Sequence, residues 1–183
     1  SPTIQSRNEG RKTINMKNFG IPWKNEVEKS APIVAVLATC MDSGKTSLIC
    51  KLADYFHDKD LTIAGAKLTG VAFMQDPYKM KDAGISTVMD FVDAGLPSTC
   101  GTPGDAIGAA CGVITEINKT NPDLILAEFG DGIIGEYNVA SILTHPSFKK
   151  HIVMTVVAAN DLMAAWGAKQ KMKELGLAID VFT

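Results

Sequence analysis

The chain has 183 residues, nearly half of them apolar, with 18 basic against 20 acidic side chains and a formal net charge of -2. That is material enough for a sizeable core in one globular domain. Near-neutral charge without an arginine-rich stripe argues against a nucleic-acid partner, and three scattered histidines argue against a His-built metal site.

Residues 1–30 are polar and aperiodic and read as an N-terminal tail, a linker or the remnant of an upstream domain. Their first residues lack the basic-then-apolar layout of a secretory leader. No run is long enough to span a bilayer, so a cytoplasmic protein without membrane contact is expected. Cys40, Cys50, Cys100 and Cys111 show no C-x-x-C spacing, which fits free thiols in a reducing compartment, with Cys40 packing filler in its loop.

From Ile33 to Leu37 a β-branched apolar run predicts a strand. Small residues follow, ending Asp42-Ser43-Gly44-Lys45-Thr46-Ser47, and then Leu48, Ile49, Leu52, Ala53 and Phe56 recur at helical spacing. Strand, small-residue loop and helix opening on Gly-Lys-Thr are the layout of a phosphate-binding P-loop. Successive amides from Asp42 to Ser47 and the helix N-terminus suit an anion, Lys45 reaches the terminal phosphates, and the Thr46 hydroxyl suits Mg²⁺. The usual pattern has glycine five residues before Gly44, where Thr39 stands. The bland alternative is an ordinary strand-turn-helix with an exposed lysine.

Leu61 to Leu68 predicts a second strand, ending around Lys67, followed by a loop from Gln75 to Lys81 and a short amphipathic helix from Ser86 to Ala94. Thr102-Pro103-Gly104-Asp105 is a helix-start signature, and Asn121-Pro122 stops that helix. Leu124 to Ala127 is a third strand, running into Glu128-Phe129-Gly130-Asp131-Gly132. Ile152 to Ala159 is a fourth, ending at Asn160-Asp161. A helix from Ala164 to Leu175 and a strand from Ala178 to Phe182 complete the pattern. Alternation of this kind predicts a three-layer α/β/α fold with a mostly parallel sheet, the P-loop NTPase fold, over residues 31–183. The chain begins without Met and stops in a strand-like segment, so a piece of a longer protein, truncated at its C-terminus, is expected. In an open sheet of this type ligands sit at the carboxyl ends of the strands, where Lys67 and Glu128 converge on the loop.

These strand ends carry a resemblance. Ala38-Thr39-Cys40-Met41-Asp42-Ser43-Gly44-Lys45-Thr46 resembles the dethiobiotin synthetase loop Gly-Thr-x-x-Glu-x-Gly-Lys-Thr. Ala64 to Gly70 is similar to that family's Lys-Pro-Val segment, and Leu124 to Gly132 to its Val-Glu-Gly-Ala-Gly-Gly. The whole also looks like poorly characterised bacterial and archaeal P-loop proteins. The resemblance implies that Lys45 and Thr46 bind phosphate and Mg²⁺, that Lys67 stabilises the transferring phosphoryl group, and that Glu128 and Asp82 are further metal ligands. It implies Mg²⁺ and ATP as cofactors, a small-molecule substrate activated by phosphoryl transfer, and a homodimer. The segment from Gln75 to Lys81 departs from the synthetase, so its diamine substrate does not carry over. The alternative is a nucleotide-driven switch or metallochaperone-type NTPase acting on a protein partner. Cys40, where switch ATPases carry an extra lysine, and the lack of Asn-Lys-x-Asp favour the enzyme.

Overall fold

The computed structural model describes residues 3–5 and 13–183. Residues 1, 2 and 6–12 of the expected tail lie outside the described residues. The chain opens with a two-stranded antiparallel pair, β1 (Thr3–Gln5) and β2 (Thr13–Asn15). Strands β3 (Ile33–Ala38), β4 (Ile63–Thr69), β5 (Thr87–Asp90), β6 (Leu124–Phe129), β7 (Ile152–Ala158) and β8 (Val181–Phe182) then build one six-stranded sheet in the order β5-β4-β6-β3-β7-β8, every pairing parallel.

Helices cover both faces. Val34 and Val36 of β3 point to the side of α1 (Lys45–His57) and α2 (Gln75–Asp82), packing with Ile49, Ala53 and Met80. Ala35 and Leu37 point to the other side, where α3 (Pro103–Asn118) and α6 (Leu162–Glu174) close the larger core. That two-sided burial is why β3 reads as an unbroken apolar run. The N-cap of α3 is Thr102, whose hydroxyl accepts from the Asp105 amide, as the sequence signature predicts.

Three expectations change. Thr87–Asp90 is a strand, not part of a helix: it pairs with Ala64–Lys67, and that pairing overrides the helical spacing around it. Gln75–Asp82 is a helix, because Pro77 falls in its first turn, where a missing amide hydrogen costs nothing. Two short helices, α4 (Val139–Thr144) and α5 (Pro146–Lys149), arise where no periodic pattern stood.

The stretch from Met16 to Val27 packs against the domain. Trp23 donates from Nε1 to the Ala94 carbonyl at 2.8 Å, Val27 is buried, and its amide hydrogen-bonds the Ser147 hydroxyl. This strap lies in a notch on α3: a Cβ at Gly112 would stand 2.6 Å from the Pro22 carbonyl oxygen, and one at Gly108 3.1 Å from the Trp23 ring. Gly112→Ala is therefore expected to cost roughly 1–3 kcal/mol by overpacking. Urea unfolding checks it, and an unchanged midpoint would mean that the strap does not pack there.

Candidate active site

The P-loop leaves β3 at a topological switch point: the connection from β3 runs to one side, to β4, while that from its neighbour β7 runs to the other, to β8. Gly44, the N-cap of α1, adopts φ +89°, and a Cβ there would meet nothing within 4 Å. Glycine is needed for its left-handed backbone, not for space. Asp42 and Asp131, on either side of the lysine, take the same region at φ 58° and 67° without being glycine. Such residues cluster where a backbone is held for a task.

Lys45 is buried and curls back, its Nζ donating to the carbonyls of Cys40 and Asp131, each at 3.1 Å. Burial lowers its pKa from the usual lysine value, against the pull of Glu128 and Asp131. One residue on, Thr46 Oγ1 stands 3.1 Å from Glu128 Oε2 and 3.2 Å from Asp76 Oδ1. Asp76 Oδ2 in turn accepts from Lys67 Nζ at 2.6 Å. Lys67 and Glu128 are direct neighbours in the β4–β6 register, and Glu128 faces Val36 across β6–β3, so the sheet itself sets them side by side. Both are almost fully buried, at 4% and 2% exposure. Burial first, and the Asp76 carboxylate second, push the Glu128 pKa up to about 7.

These groups line a cleft of about 450 Å³ whose far wall is Val71, Phe73 and Tyr137. A buried threonine holds that wall. Thr99 donates from Oγ1 to the Tyr137 carbonyl and accepts from the Gly70 amide, while its own amide and carbonyl bond Gly70 and the Asn138 side chain. With its polar atoms engaged, three loops from three strand ends become one wall.

Of the residues singled out from sequence, Asp42, Gly44, Lys45, Thr46, Ser47, Lys67 and Glu128 all face this cleft. Ser43 does not line it and donates instead to the Cys40 carbonyl. Asp82 lies elsewhere. It is the last residue of α2, exposed, and not among the cleft residues. The acid that reaches the site is Asp76, in the first turn of the same helix, which forms where a loop was expected. The signal for it was Asp-Pro at 76–77, an acid and a proline of the kind that open helices. Cys40 is exposed rather than packing filler, with its Sγ 3.2 Å from Ser43 Oγ and 3.3 Å from Asn160 Nδ2.

Among the described residues no three His, Cys, Asp or Glu side chains gather as a metal cage. One hydroxyl and two carboxylates do converge, at Thr46, Asp76 and Glu128. That all-oxygen donor set suits Mg²⁺, which keeps waters and takes its remaining ligands from phosphate. No helix among the described residues is long and apolar enough to cross a membrane.

No family model matches the chain, and no curated protein does. Solved structures do. The chain is similar to the cell division protein FtsY of Thermotoga maritima, at 15% identity and a TM-score of 0.57, over 91% of this chain and 57% of that one. It is similar to the signal recognition particle receptor FtsY of Elizabethkingia anophelis, at 12% and 0.60, over 91% and 54%. The kinase domain of Escherichia coli tyrosine kinase ETK matches at 12% and 0.57, over 85% and 68%. The chain thus spans little more than half the length of the FtsY proteins it matches. At such identities the likeness is one of architecture, and it agrees with the sheet order and loop described above: this chain has the P-loop NTPase fold.

Proposed function

We propose that the cleft binds Mg²⁺-ATP on residues Asp42 to Ser47 and that the protein is an ATP-dependent enzyme which activates a small acid by phosphoryl transfer, in the manner of dethiobiotin synthetase. The observation that carries this reading is the register of Lys67 beside Glu128 at the mouth of the P-loop, with Thr46 and Asp76 within hydrogen-bonding distance. In the transfer, a bond forms from an acceptor oxygen to the terminal phosphorus as the bond to the ADP oxygen breaks. Lys45 and Lys67 face the oxygens on which charge is redistributed. Thr46, Asp76 and Glu128 would hold Mg²⁺, which supplies charge neutralisation. ATP is the nucleotide of this reading; one FtsY structure from Elizabethkingia anophelis, similar at 13% identity over 78% of this chain and 46% of that one (TM-score 0.56), is a complex with GDP.

The test is ADP release against a panel of small carboxylates and amines, with and without bicarbonate. Lys67→Ala is expected to lower turnover on the order of 100-fold without weakening ATP binding, because its contact to the phosphoryl group strengthens as charge moves in the transition state. A second reading, a switch acting on a protein partner, draws on exposed apolar side chains near the loop: Met41, Ile134 and, on α6, Leu162, Met163 and Trp166. A flat response across the panel, together with hydrolysis stimulated by a protein, would replace the first reading with the second.

A further inference from the structure

Two carboxylates that are to hold a divalent cation repel one another when the site has none, and in a buried setting that repulsion is weakly screened. Here the repulsion has a partner built into the sheet. Lys67 Nζ lies 2.6 Å from Asp76 Oδ2, the shortest polar contact in the cleft, and the pair is 4% and 18% exposed. The Thr46 hydroxyl lies between Asp76 and Glu128, touching both. One oxygen of Asp76 thus holds an ammonium while the other faces the hydroxyl and carboxylate that would hold a metal ion.

We infer that Lys67 is a built-in counter-cation of the Asp76 carboxylate which competes with a metal ion for that charge, so that metal binding loosens the pair and frees Lys67 to serve the phosphoryl group. This rests on the phosphoryl-transfer reading above and adds the order of events within it. The exchange has somewhere to go. Lys67 Nζ is already 3.4 Å from the Val71 carbonyl and 5.9 Å from the centre of the Phe73 ring, two features of the cleft's far wall. An ammonium released from Asp76 keeps a carbonyl acceptor and an aromatic face on the side where an acceptor molecule would lie. Asp76 sits in the first turn of α2, so it changes partner without disturbing the sheet that fixes Lys67 and Glu128. The consequence is a gate: a protein without metal has its second lysine tied up, and a protein with metal has it available.

A competing cation and an ordinary structural ion-pair partner differ in the sign of their effect on metal binding. A structural lysine supports the site, and its loss weakens metal binding. A competing cation depresses metal binding, and its loss strengthens it. The experiment is Mn²⁺ binding to the full chain without nucleotide, read from the free-Mn²⁺ resonance at pH 8, for the parent and for Lys67→Met, Lys67→Gln, Lys67→Arg and Asp76→Asn. Lys67→Met and Lys67→Gln are expected to bind Mn²⁺ at least tenfold more tightly than the parent. Lys67→Arg should stay near the parent, and Asp76→Asn should bind more weakly. Melting curves establish which variants are folded, and if Lys67→Met is not, Lys67→Gln decides.

Unchanged or weaker Mn²⁺ binding by the folded neutral variants overturns the inference. If in that case the parent still binds Mg²⁺-ATP in a Lys45-dependent way, the phosphoryl-transfer reading survives. If neither Mn²⁺ nor ATP binds to any variant, both fall together.

Discussion

Lys45→Ala is expected to abolish ATP binding measured by calorimetry while leaving the fold intact. Only Asp42 to Ser47 offers several backbone amides at a helix start inside the cleft, and Lys45 is the cation that emerges among them. Its ammonium is held by two backbone carbonyls, Cys40 and Asp131, so phosphate meets a lysine already positioned and partly desolvated. Charge-assisted hydrogen bonds to phosphate contribute about 1.5–3 kcal/mol each, so losing two of them weakens binding on the order of 100-fold or more. Stability should change less than binding, because the buried ammonium is itself held at a desolvation cost, which its lowered pKa records. Binding equal to the parent's would remove the loop assignment.

Glu128→Gln should raise the stability of the metal-free protein at alkaline pH and remove the Mg²⁺ dependence of nucleotide binding. The carboxyl is pushed from an ordinary 4.5 up to about 7, by burial and then by Asp76. Between those two values the folded state holds a proton that the unfolded state has released. Stability of the parent therefore falls as pH rises from about 4.5 to about 7, then levels off. Glutamine has no proton to lose, so the two proteins should differ little at pH 4. Above pH 7 the variant should lead by roughly 2–3 kcal/mol, several degrees in melting temperature. The same ionisation governs the metal: Mg²⁺ needs the carboxylate, so its uptake below pH 7 releases a proton and tightens as pH rises to that value. A parent whose melting temperature climbs from pH 5 to 8, or a Gln variant that keeps its Mg²⁺ dependence, would show that Glu128 is not the buried metal-facing acid described.

How much of this was legible beforehand follows from the range of each signal. The P-loop, β3 and α1 are local: a β-branched run, Gly44 and a 3.6-residue apolar period lie within 25 consecutive residues. Lys67 and Glu128 were reachable because side chains near the carboxyl ends of neighbouring parallel strands must come together once the strands pair. Asp76 was not reachable in this way. It belongs to a helix of eight residues with weak intrinsic preference, and whether position 76 or 82 faces the site depends on where that helix begins against α1. The Thr87–Asp90 strand was missed for the converse reason, since its extended form is imposed by pairing with β4 rather than by its own residues.

The sequence by itself determined the layered parallel fold, the phosphate loop and two of the charged groups beside it, because periodicity, glycine chemistry and strand-end geometry act over a few residues or follow from topology alone. The tertiary structure alone decided that Asp76 supplies the second carboxylate, that Lys67 is already paired with it, and that residues 16–27 close the α3 face. Those outcomes depend on which surfaces meet, and the free energy of burying one against another is a property of the assembled layers rather than of any one segment.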